Sequence, residues 1–396
     1  MALILCLGSK RNQWLAFLAL FCCLAVGHTQ GIPLHKVYAS SALYEQLNAG
    51  TMGLPKVAQE LSIIGRYDEA RALLGDEQVS FQIDSTSSEY TSAEHKILEE
   101  SKSTSIVILN EAHHRPEHRY FVSSLLEGLY DRGYRYLALE AITNHFIDST
   151  LLLYDEELAE RGFPYFSPIT GTYTREPEMG KLIRRAIALG FTIVGYEKVE
   201  NEGDREYIQA RNLYNKLFTA SLNPNVVVLC GYHHVFEKSA KSSNKMMAAH
   251  LKEMTGIDPL TIYQLNVGEW RGADFDTPVI AAGINVFWQD TLDITGNSDY
   301  YLLHPSYSNY RGVPAWKLDG KGAFVDISPL IANEIHKVVF PQIASIYFDE
   351  EPASATPVEI RELRTIKAPN IFFLERNRSY RIEIAGFEPT VFQVPD

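Results

Sequence analysis

The chain has 396 residues, of which 46% are hydrophobic and 21% are charged, and 36 Lys and Arg against 49 Asp and Glu give a formal net charge of −13. This composition is typical of a folded globular protein and excludes a disordered, collagen-like or coiled-coil chain. An acidic chain without a block of clustered Lys and Arg does not attract phosphate groups, so we expect no nucleic-acid partner and no binding to anionic membrane surfaces.

Residues 1–27 have the organisation of a secretory signal peptide. Lys10 and Arg11 form a positively charged region, Trp14 to Val26 is an uninterrupted apolar run of 13 residues, and small residues up to Gly27 form a cleavage site. The apolar run is shorter than the roughly 20 residues that span a bilayer. We therefore expect export to a periplasmic or extracellular location and no stable membrane span after cleavage. Cleavage would leave Cys230 as the last cysteine, which excludes an internal disulfide.

Residues 28–100 carry short amphipathic helical patterns, such as Val57 to Leu74, and predict a helical N-terminal lead-in. Between residues 101 and 270 short apolar runs alternate with helical patterns. Strands are predicted at 105–109, 136–139, 191–196, 226–230 and 260–265, and helices from Pro116 to Gly133 and near 143–161, 178–189, 204–218 and 245–254. Strands that are apolar throughout are buried on both faces, so this pattern predicts an α/β core with a mainly parallel sheet and helices on both faces.

The periodicity weakens from residue 271 to residue 396, which we interpret as a C-terminal extension. Residues 348–369 have the composition of a linker. Tyr380 to Ile384 alternates between polar and apolar residues, a turn follows, and Thr390 to Val394 returns, which predicts a terminal β-hairpin.

Polar residues follow the predicted parallel strands at the edge where open α/β sheets bind ligands. The strand ends are Asn110-Glu111-Ala112-His113-His114, Glu140, Glu197 and Gly231-Tyr232-His233-His234. Because adjacent residues of an extended segment point to opposite sides, we expect one histidine of each pair to face a shared site and the other to be a structural hydrogen-bonding residue.

Each of the two glutamates at strand ends requires a cation, a histidine or an arginine as its partner, because an unpaired buried carboxylate is costly. Arg205 is the candidate, since Arg205, Gln209 and Asn212 fall on one face of a predicted helix. A solvated helix face is equally compatible with that spacing. His118 lies in line with apolar residues, and we favour a buried core histidine over a ligand.

Cys230 ends an apolar strand, which is typical of a small buried residue rather than a nucleophile. The sequence contains no Gly-x-Ser-x-Gly elbow, phosphate loop, dinucleotide fingerprint or His-Glu-x-x-His helix. The aromatic segment from Phe163 to Tyr173 is predicted to be a lid or substrate-contacting loop.

The ordered motifs over about residues 100–270 resemble the superfamily that includes haem-binding ChaN proteins, TraB/Tiki-type proteins and erythromycin esterases. That superfamily has a strand, a Gly-Glu-x-His or Gly-x-x-His turn, a helix and a second strand that ends in Glu. In this chain the strand and turn correspond to Ile108 to His118, and the helix and the strand ending at Glu140 follow. Asn110 stands where Gly is usual. The helix Arg205 to Asn212 is similar to its Arg-Glu-x-x-Met-Ala-x-Asn motif, and Gly231 to Val235 is similar to its second Gly-x-x-His.

The resemblance implies that the catalytic residues are Glu111, His113, Glu140, Arg205 and His234. It implies His113, His234 and Glu140 as the ligands of any divalent metal. The remaining strand-end residues, His114, His233 and Glu197, are further candidates for holding a cofactor.

An exported hydrolase of ester or peptide-type bonds in a small-molecule or peptide substrate is the favoured function. Its histidines and glutamates would either hold zinc, manganese or cobalt, as Tiki-like relatives imply, or act without a cofactor as a general base, as esterase-like relatives imply. The ChaN resemblance implies an alternative, a binding protein for haem or an iron compound with His and Tyr ligands. A third alternative is a non-catalytic scaffold whose β-rich C-terminal region binds a partner.

Overall fold

The computed structural model describes residues 34–74, 79–83, 90–143, 146–147, 150–151, 156–198, 202–219, 224–238, 245–264, 276–288, 292–332, 339–365 and 369–396. The predicted signal peptide lies outside these residues. Within them, no helix has both the length and the apolar character needed to cross a membrane.

The helices and strands of the described residues are as follows. The helices are α1 (Ser40–Asn48), α2 (Leu54–Ile63), α3 (Tyr67–Leu74), α4 (Ala93–Glu100), α5 (Pro116–Asp131), α6 (Glu156–Arg161), α7 (Pro177–Leu189), α8 (Arg205–Leu217), α9 (Met247–Thr255) and α10 (Ser328–Ile331). Short 3₁₀ helices cover Ser101–Ser103, Tyr232–Val235 and Ala315–Lys317. The strands are β1 (Val79–Ile83), β2 (Tyr90–Ser92), β3 (Ile106–Glu111), β4 (Tyr136–Leu139), β5 (Phe146–Ile147), β6 (Thr150–Leu151), β7 (Thr192–Gly195), β8 (Val226–Gly231), β9 (Leu260–Gln264), β10 (Val279–Ala281), β11 (Ile284–Trp288), β12 (Leu292–Asp293), β13 (Tyr300–Leu303), β14 (Asn309–Tyr310), β15 (Val313–Pro314), β16 (Gly322–Asp326), β17 (Gln342–Phe348), β18 (Glu359–Leu363), β19 (Ile371–Glu375), β20 (Arg378–Ile384) and β21 (Thr390–Val394).

An eight-stranded sheet organises the chain, in the order β2-β10-β13-β9-β3-β8-β4-β7. The six strands from β13 to β7 are parallel to their neighbours, and β10 and β2 extend the sheet in antiparallel pairing. The prediction of a mixed α/β protein with a mainly parallel sheet is thus confirmed. Strands β2, β10 and β13 come from outside residues 101–270, so the sheet extends beyond the predicted core range.

Two hydrophobic cores lie on either side of strand β3. Val107 and Leu109 belong to the core that contains residues of α5 and α7, whereas Ile106 and Ile108 belong to the core that contains residues of α8 and α9. Alternate side chains of a strand point to opposite faces, so a strand between two cores must be apolar at every position. This requirement explains why the parallel strands are visible in the sequence as continuous apolar runs.

The N-terminal helical region is interrupted where the sequence predicted one continuous amphipathic stretch. Helices α2 and α3 are separated at Gly65, whose φ of 71° is a left-handed conformation that favours glycine. The lead-in also contains β1 and β2, of which β2 joins the large sheet.

One predicted segment is only partly confirmed and one is wrong. The helix expected near 143–161 is present at its end as α6, whereas the described residues before it form the short antiparallel pair β5 and β6, whose aromatic and β-branched residues favour strands. The linker expected over 348–369 contains β18, which pairs with β17 in a four-stranded antiparallel sheet. The predicted terminal hairpin is confirmed by the antiparallel pairing of β20 with β21.

Candidate active site

The carboxyl ends of β3, β8, β4 and β7 meet at one edge of the sheet. Glu111 ends β3 opposite Gly231 at the end of β8, and Leu139 is opposite both Leu229 and Gly195. The parallel register therefore places the residues that follow these strands side by side. This edge carries His113, Glu140, Glu197 and the 3₁₀ helix Tyr232–Val235.

His113 and Glu140 converge on Gly231. A methyl group added at Gly231 would lie 2.8 Å from Cε1 and 3.0 Å from Nε2 of His113, and 3.1 Å from Oε2 of Glu140. The backbone N–H of Gly231 also donates a hydrogen bond to that carboxylate oxygen. The absence of a side chain at this position lets an imidazole and a carboxylate approach the same point of the backbone.

Glu111 orients His113. Its Oε1 lies 2.9 Å from Nδ1 of His113, while Arg119 donates to Oε2 through Nε at 2.5 Å and to Oε1 through Nη2 at 2.8 Å. Burial alone would raise the pKa of Glu111, but the charge of Arg119 and the hydrogen bonds from His113 and Arg119 lower it to about 2. The ionised carboxylate accepts Nδ1–H, and this tautomer leaves Nε2 as the basic nitrogen.

Arg119 is itself anchored by a second glutamate. Its Nη1 donates to Glu176 at 3.0 Å, across 57 residues of chain, and the Arg119 side chain is 0% exposed. Arg119 and Glu176 were missed by sequence reasoning, because neither ends a strand nor belongs to a motif. Both lie at the beginning of long helices, which is the weak signal that could have drawn attention to them.

Arg205 joins three of the predicted site residues. Its guanidinium donates to Glu140 at 2.6 Å and to Glu197 at 3.0 Å, and its Nη1 lies 2.8 Å from Nε2 of His234. Although burial opposes the charged form, hydrogen bonds to Glu197 and the charge of Glu140 raise the pKa of Arg205. The Arg205 side chain is 43% exposed, so this positive charge lies at the surface of the site.

The polar face of α8 faces the sheet edge, not solvent. Gln209 is 0% exposed and donates to Glu197 at 3.1 Å, and Asn212 is 2% exposed and donates to the Tyr196 carbonyl at 3.1 Å. The spacing left open whether this helix face lines the site or is solvated, and the burial of Gln209 and Asn212 shows that it lines the site. These amides tie α8 to the end of β7 and hold Arg205 in place.

His234 forms a second imidazole–carboxylate pair. Its Nδ1 lies 2.7 Å from Glu206, which also accepts a hydrogen bond from the Met247 N–H at 2.9 Å. Burial alone would lower the pKa of His234, but the hydrogen bond to Glu206 and the charge of Glu140 raise it, against the opposing charge of Arg205. Glu206 was not identified as a site residue, although it stands next to Arg205 in the motif that carries the resemblance.

The other histidines lie outside this cluster. His114 is 2% exposed, neither of its ring nitrogens has a hydrogen-bond partner among the described residues, and burial lowers its pKa to about 3. His113 is therefore the histidine of this pair that faces the site, and the described part of the chain shows no hydrogen bond that would give His114 a structural role. His233 stacks on Phe236 and Tyr263, with ring centroids 5.0 Å and 5.9 Å away. His118 is 1% exposed and accepts the Ala112 N–H, as expected of a core histidine.

Two aromatic rings enclose His113. Tyr173, the last residue of the predicted substrate loop, stacks on the imidazole with centroids 4.1 Å apart, and Tyr232 meets it edge-on at 4.9 Å. Burial raises the pKa of Tyr173 to about 12, so the phenol is neutral near pH 7. The imidazole is 16% exposed, which leaves a restricted opening toward solvent.

The residues predicted to bind a metal do not fit that role in this arrangement. Arg205 bonds both Glu140 and His234, so a positive charge already lies between two of the three expected ligands. Over the described ranges, no three His, Cys, Asp or Glu side chains converge as metal ligands.

Comparison with known proteins adds little to this geometry. No protein-family model matches the chain, and no curated protein matches it. A solved structure described as bacterial protein toxins is 13% identical with a TM-score of 0.29 and covers 57% of this chain and 40% of that chain. A second, described as a crystal structure of bacterial protein toxins, is 11% identical with a TM-score of 0.30 and covers 56% and 45%. The chain thus spans less than half of either one, and similarity at this level carries no information on function.

The fold and the cluster together define a mixed α/β protein with a His, Glu and Arg site at the carboxyl edge of its parallel strands. Cys230 takes no part in that site. It is buried and free, and burial raises the pKa of its thiol, as expected of a small core residue.

Proposed function

We propose that the protein is an exported, metal-independent hydrolase that cleaves an ester or peptide-type bond in a small-molecule or peptide substrate. The observation that carries the proposal is the pairing of His113 with Glu111. A carboxylate that holds Nδ1–H keeps the imidazole in the tautomer whose Nε2 can take a proton, which is the arrangement required of a general base. The predicted signal peptide supports export.

In the proposed reaction, Nε2 of His113 removes a proton from water as the water oxygen attacks the carbonyl carbon of the substrate. Negative charge then develops on the carbonyl oxygen. Arg205 supplies the nearby positive charge that stabilises it, and such preorganised stabilisation typically contributes a large share of catalysis. The bond to the leaving oxygen or nitrogen breaks, and the leaving atom takes the proton from the imidazolium of His113.

His234 has a distinct place in this scheme. Its contacts with Arg205 through Nε2 and with Glu206 through Nδ1 support a role in holding the guanidinium in place. Glu140 and Glu197 position Arg205 from the opposite side. Glu111, Glu140 and Glu197 therefore act as positioning residues in the proposed reaction, while His113 and Arg205 contact the reacting atoms.

The test is a screen of aryl esters, lactones and peptides with the purified mature protein, with EDTA and with added zinc, manganese or cobalt. We expect hydrolysis that survives EDTA and falls at least 100-fold in His113→Ala, since general-base catalysis contributes about 10²–10⁴-fold. His95→Ala is the matched control, because His95 is exposed on α4.

Three results would contradict the proposal. Activity that requires stoichiometric metal would support the metallohydrolase alternative. A Soret band in the visible spectrum would support haem binding. Equal activity in His113→Ala and the parent protein would remove His113 from the chemistry.

A further inference from the structure

A cavity of about 840 Å³ lies at the same edge of the large sheet, beside the β2, β10 and β13 half. Its walls come from α3, the beginnings of α4 and α5, the segment before β10, the segment after β13 and the 3₁₀ helix Ala315–Lys317. It shares no lining residue with the candidate active site. The volume is within the range of about 300–1,000 Å³ that is typical of small-molecule sites.

The charged side chains that line this cavity are predominantly acidic. Glu94, Glu117, Asp276 and Asp319 contribute carboxylates, and Arg71 is the basic residue of the lining. Arg71 pairs with Glu117, with Nη1 and Oε1 2.5 Å apart, and the buried Arg115, which is not part of the lining, bonds the same Oε1 at 3.3 Å. The four lining carboxylates outnumber these two arginines, so the cavity keeps a net negative charge.

Neutral and neighbouring groups do not cancel this charge. The imidazole of His304 lines the cavity, and burial lowers its pKa to about 4, so it is uncharged near pH 7. Lys317 follows the lining residue Trp316, but its ammonium bonds Glu359 at 2.6 Å and Glu178 at 3.0 Å. The positive charge of Lys317 is therefore paired with these two glutamates and does not neutralise the carboxylates of the cavity.

Aromatic side chains also line the walls of the cavity. Tyr120, Tyr307 and Trp316 line the cavity, and the rings of Tyr120 and Trp316 are in contact, with centroids 5.5 Å apart. Arg71 already makes this combination of contacts. Its guanidinium lies 4.6 Å from the centroid of the Tyr307 ring and also bonds Glu117. Carboxylates and aromatic faces together favour organic cations over anions or neutral polyols.

We propose that this cavity binds an organic cation that carries two or more amine groups on an apolar stem, such as a linear diamine or polyamine. The ammonium groups pair with the carboxylates of Glu94, Asp276 and Asp319. The methylene stem packs on the rings of Tyr120, Tyr307 and Trp316. This site is independent of the proposed hydrolysis, and its test is a binding measurement.

The experiment is isothermal titration of the mature protein with 1,8-diaminooctane, 1,8-octanediol and octanedioate. We expect the diamine to bind with a stoichiometry of one and with an affinity that falls as salt is added, because ion pairing is screened. The diol has the same length without charge, and we expect it to bind at least tenfold more weakly. We expect no binding of octanedioate.

Variants assign the binding to the cavity. The double variant Asp319→Asn with Glu94→Gln should weaken diamine binding at least tenfold, and both residues are exposed at the rim, so the fold is retained. Glu253→Gln removes a carboxylate on α9 that is not part of the lining, and it should leave the affinity unchanged. Equal binding of diamine and diol, or an unchanged affinity in the double variant, would overturn the proposal.

Discussion

Arg119 holds Glu111 through two N–H donors at 2.5 and 2.8 Å, and both side chains are buried, with Arg119 0% exposed. The pair explains why a carboxylate in the interior stays ionised. It also connects the interior to the candidate site, because the same carboxylate bonds Nδ1 of His113. The geometry of the imidazole therefore depends on an arginine that solvent does not reach.

Replacing Arg119 with Met should destabilise the protein by about 3–5 kcal/mol, because removal of one partner leaves buried charge uncompensated on Glu111 and Glu176. Urea unfolding followed by circular dichroism measures the loss. Arg185→Met is the matched control, since Arg185 pairs at 3.4 Å with a glutamate that is 68% exposed, and it should cost less than about 1 kcal/mol. Similar losses in both variants would show that the buried pair has no special importance.

Gly231→Ala should lower hydrolysis at least 100-fold with little change in melting temperature. The added methyl group would lie within about 3 Å of both His113 and Glu140 and would displace them. Its backbone φ of −80° accepts alanine, so the effect is confined to the site. Gly53→Ala is the control, because Gly53 has a φ of −77° and an added methyl group would meet only an ordinary contact, 3.9 Å from Cδ of Pro55. Full activity in Gly231→Ala would place the reaction elsewhere.

Glu206→Gln should lower the pKa of His234, because the hydrogen bond to Glu206 is the main influence that raises it. A histidine whose pKa is raised on folding contributes stability that is fully present below its unfolded pKa and is lost as pH rises through the folded pKa. The free energy of unfolding of the parent protein should therefore decrease more than that of Glu206→Gln as pH rises above about 6.5.

Nuclear magnetic resonance titration of the imidazole Cε1–H signal measures the pKa of His234 directly. Glu253→Gln changes a fully exposed carboxylate on α9 and should leave that titration unchanged. An identical His234 pKa in Glu206→Gln and the parent would refute the electrostatic role of Glu206.

Lys216 gives a second pH dependence, of opposite sign. Burial lowers the pKa of Lys216 from 10.5 to about 8, so the unfolded chain binds more protons than the folded chain between these values. Stability should then rise with pH from 8 to 10 by on the order of 2 kcal/mol relative to Lys216→Met, because one pKa unit corresponds to about 1.4 kcal/mol. Chemical denaturation at several pH values tests this, with exposed Lys102→Met as control. Parallel pH curves for the parent and Lys216→Met would exclude the effect.

Local patterns in the sequence were sufficient to predict the α/β class, the strands that carry Glu111, Glu140 and Gly231, and the terminal hairpin. These features depend on side-chain periodicity and on turn residues, which are properties of short segments. The segment that became β18 was missed for the same reason. Its Glu359 is buried by pairing with Lys181 and Lys317, and those partners are distant in sequence.

The sequence by itself determined that His and Glu side chains follow parallel strands, and the rule that such strands share one edge was enough to group them. Only the tertiary structure decided that His113 faces Gly231 while His114 is buried, that Arg205 lies between Glu140 and His234, and that Arg119 reaches Glu176. It also decided which loops enclose the acidic cavity. Each of these results depends on packing between segments that are far apart in the chain. Such contacts produce no periodic pattern in the sequence, so they cannot be predicted from local residue spacing.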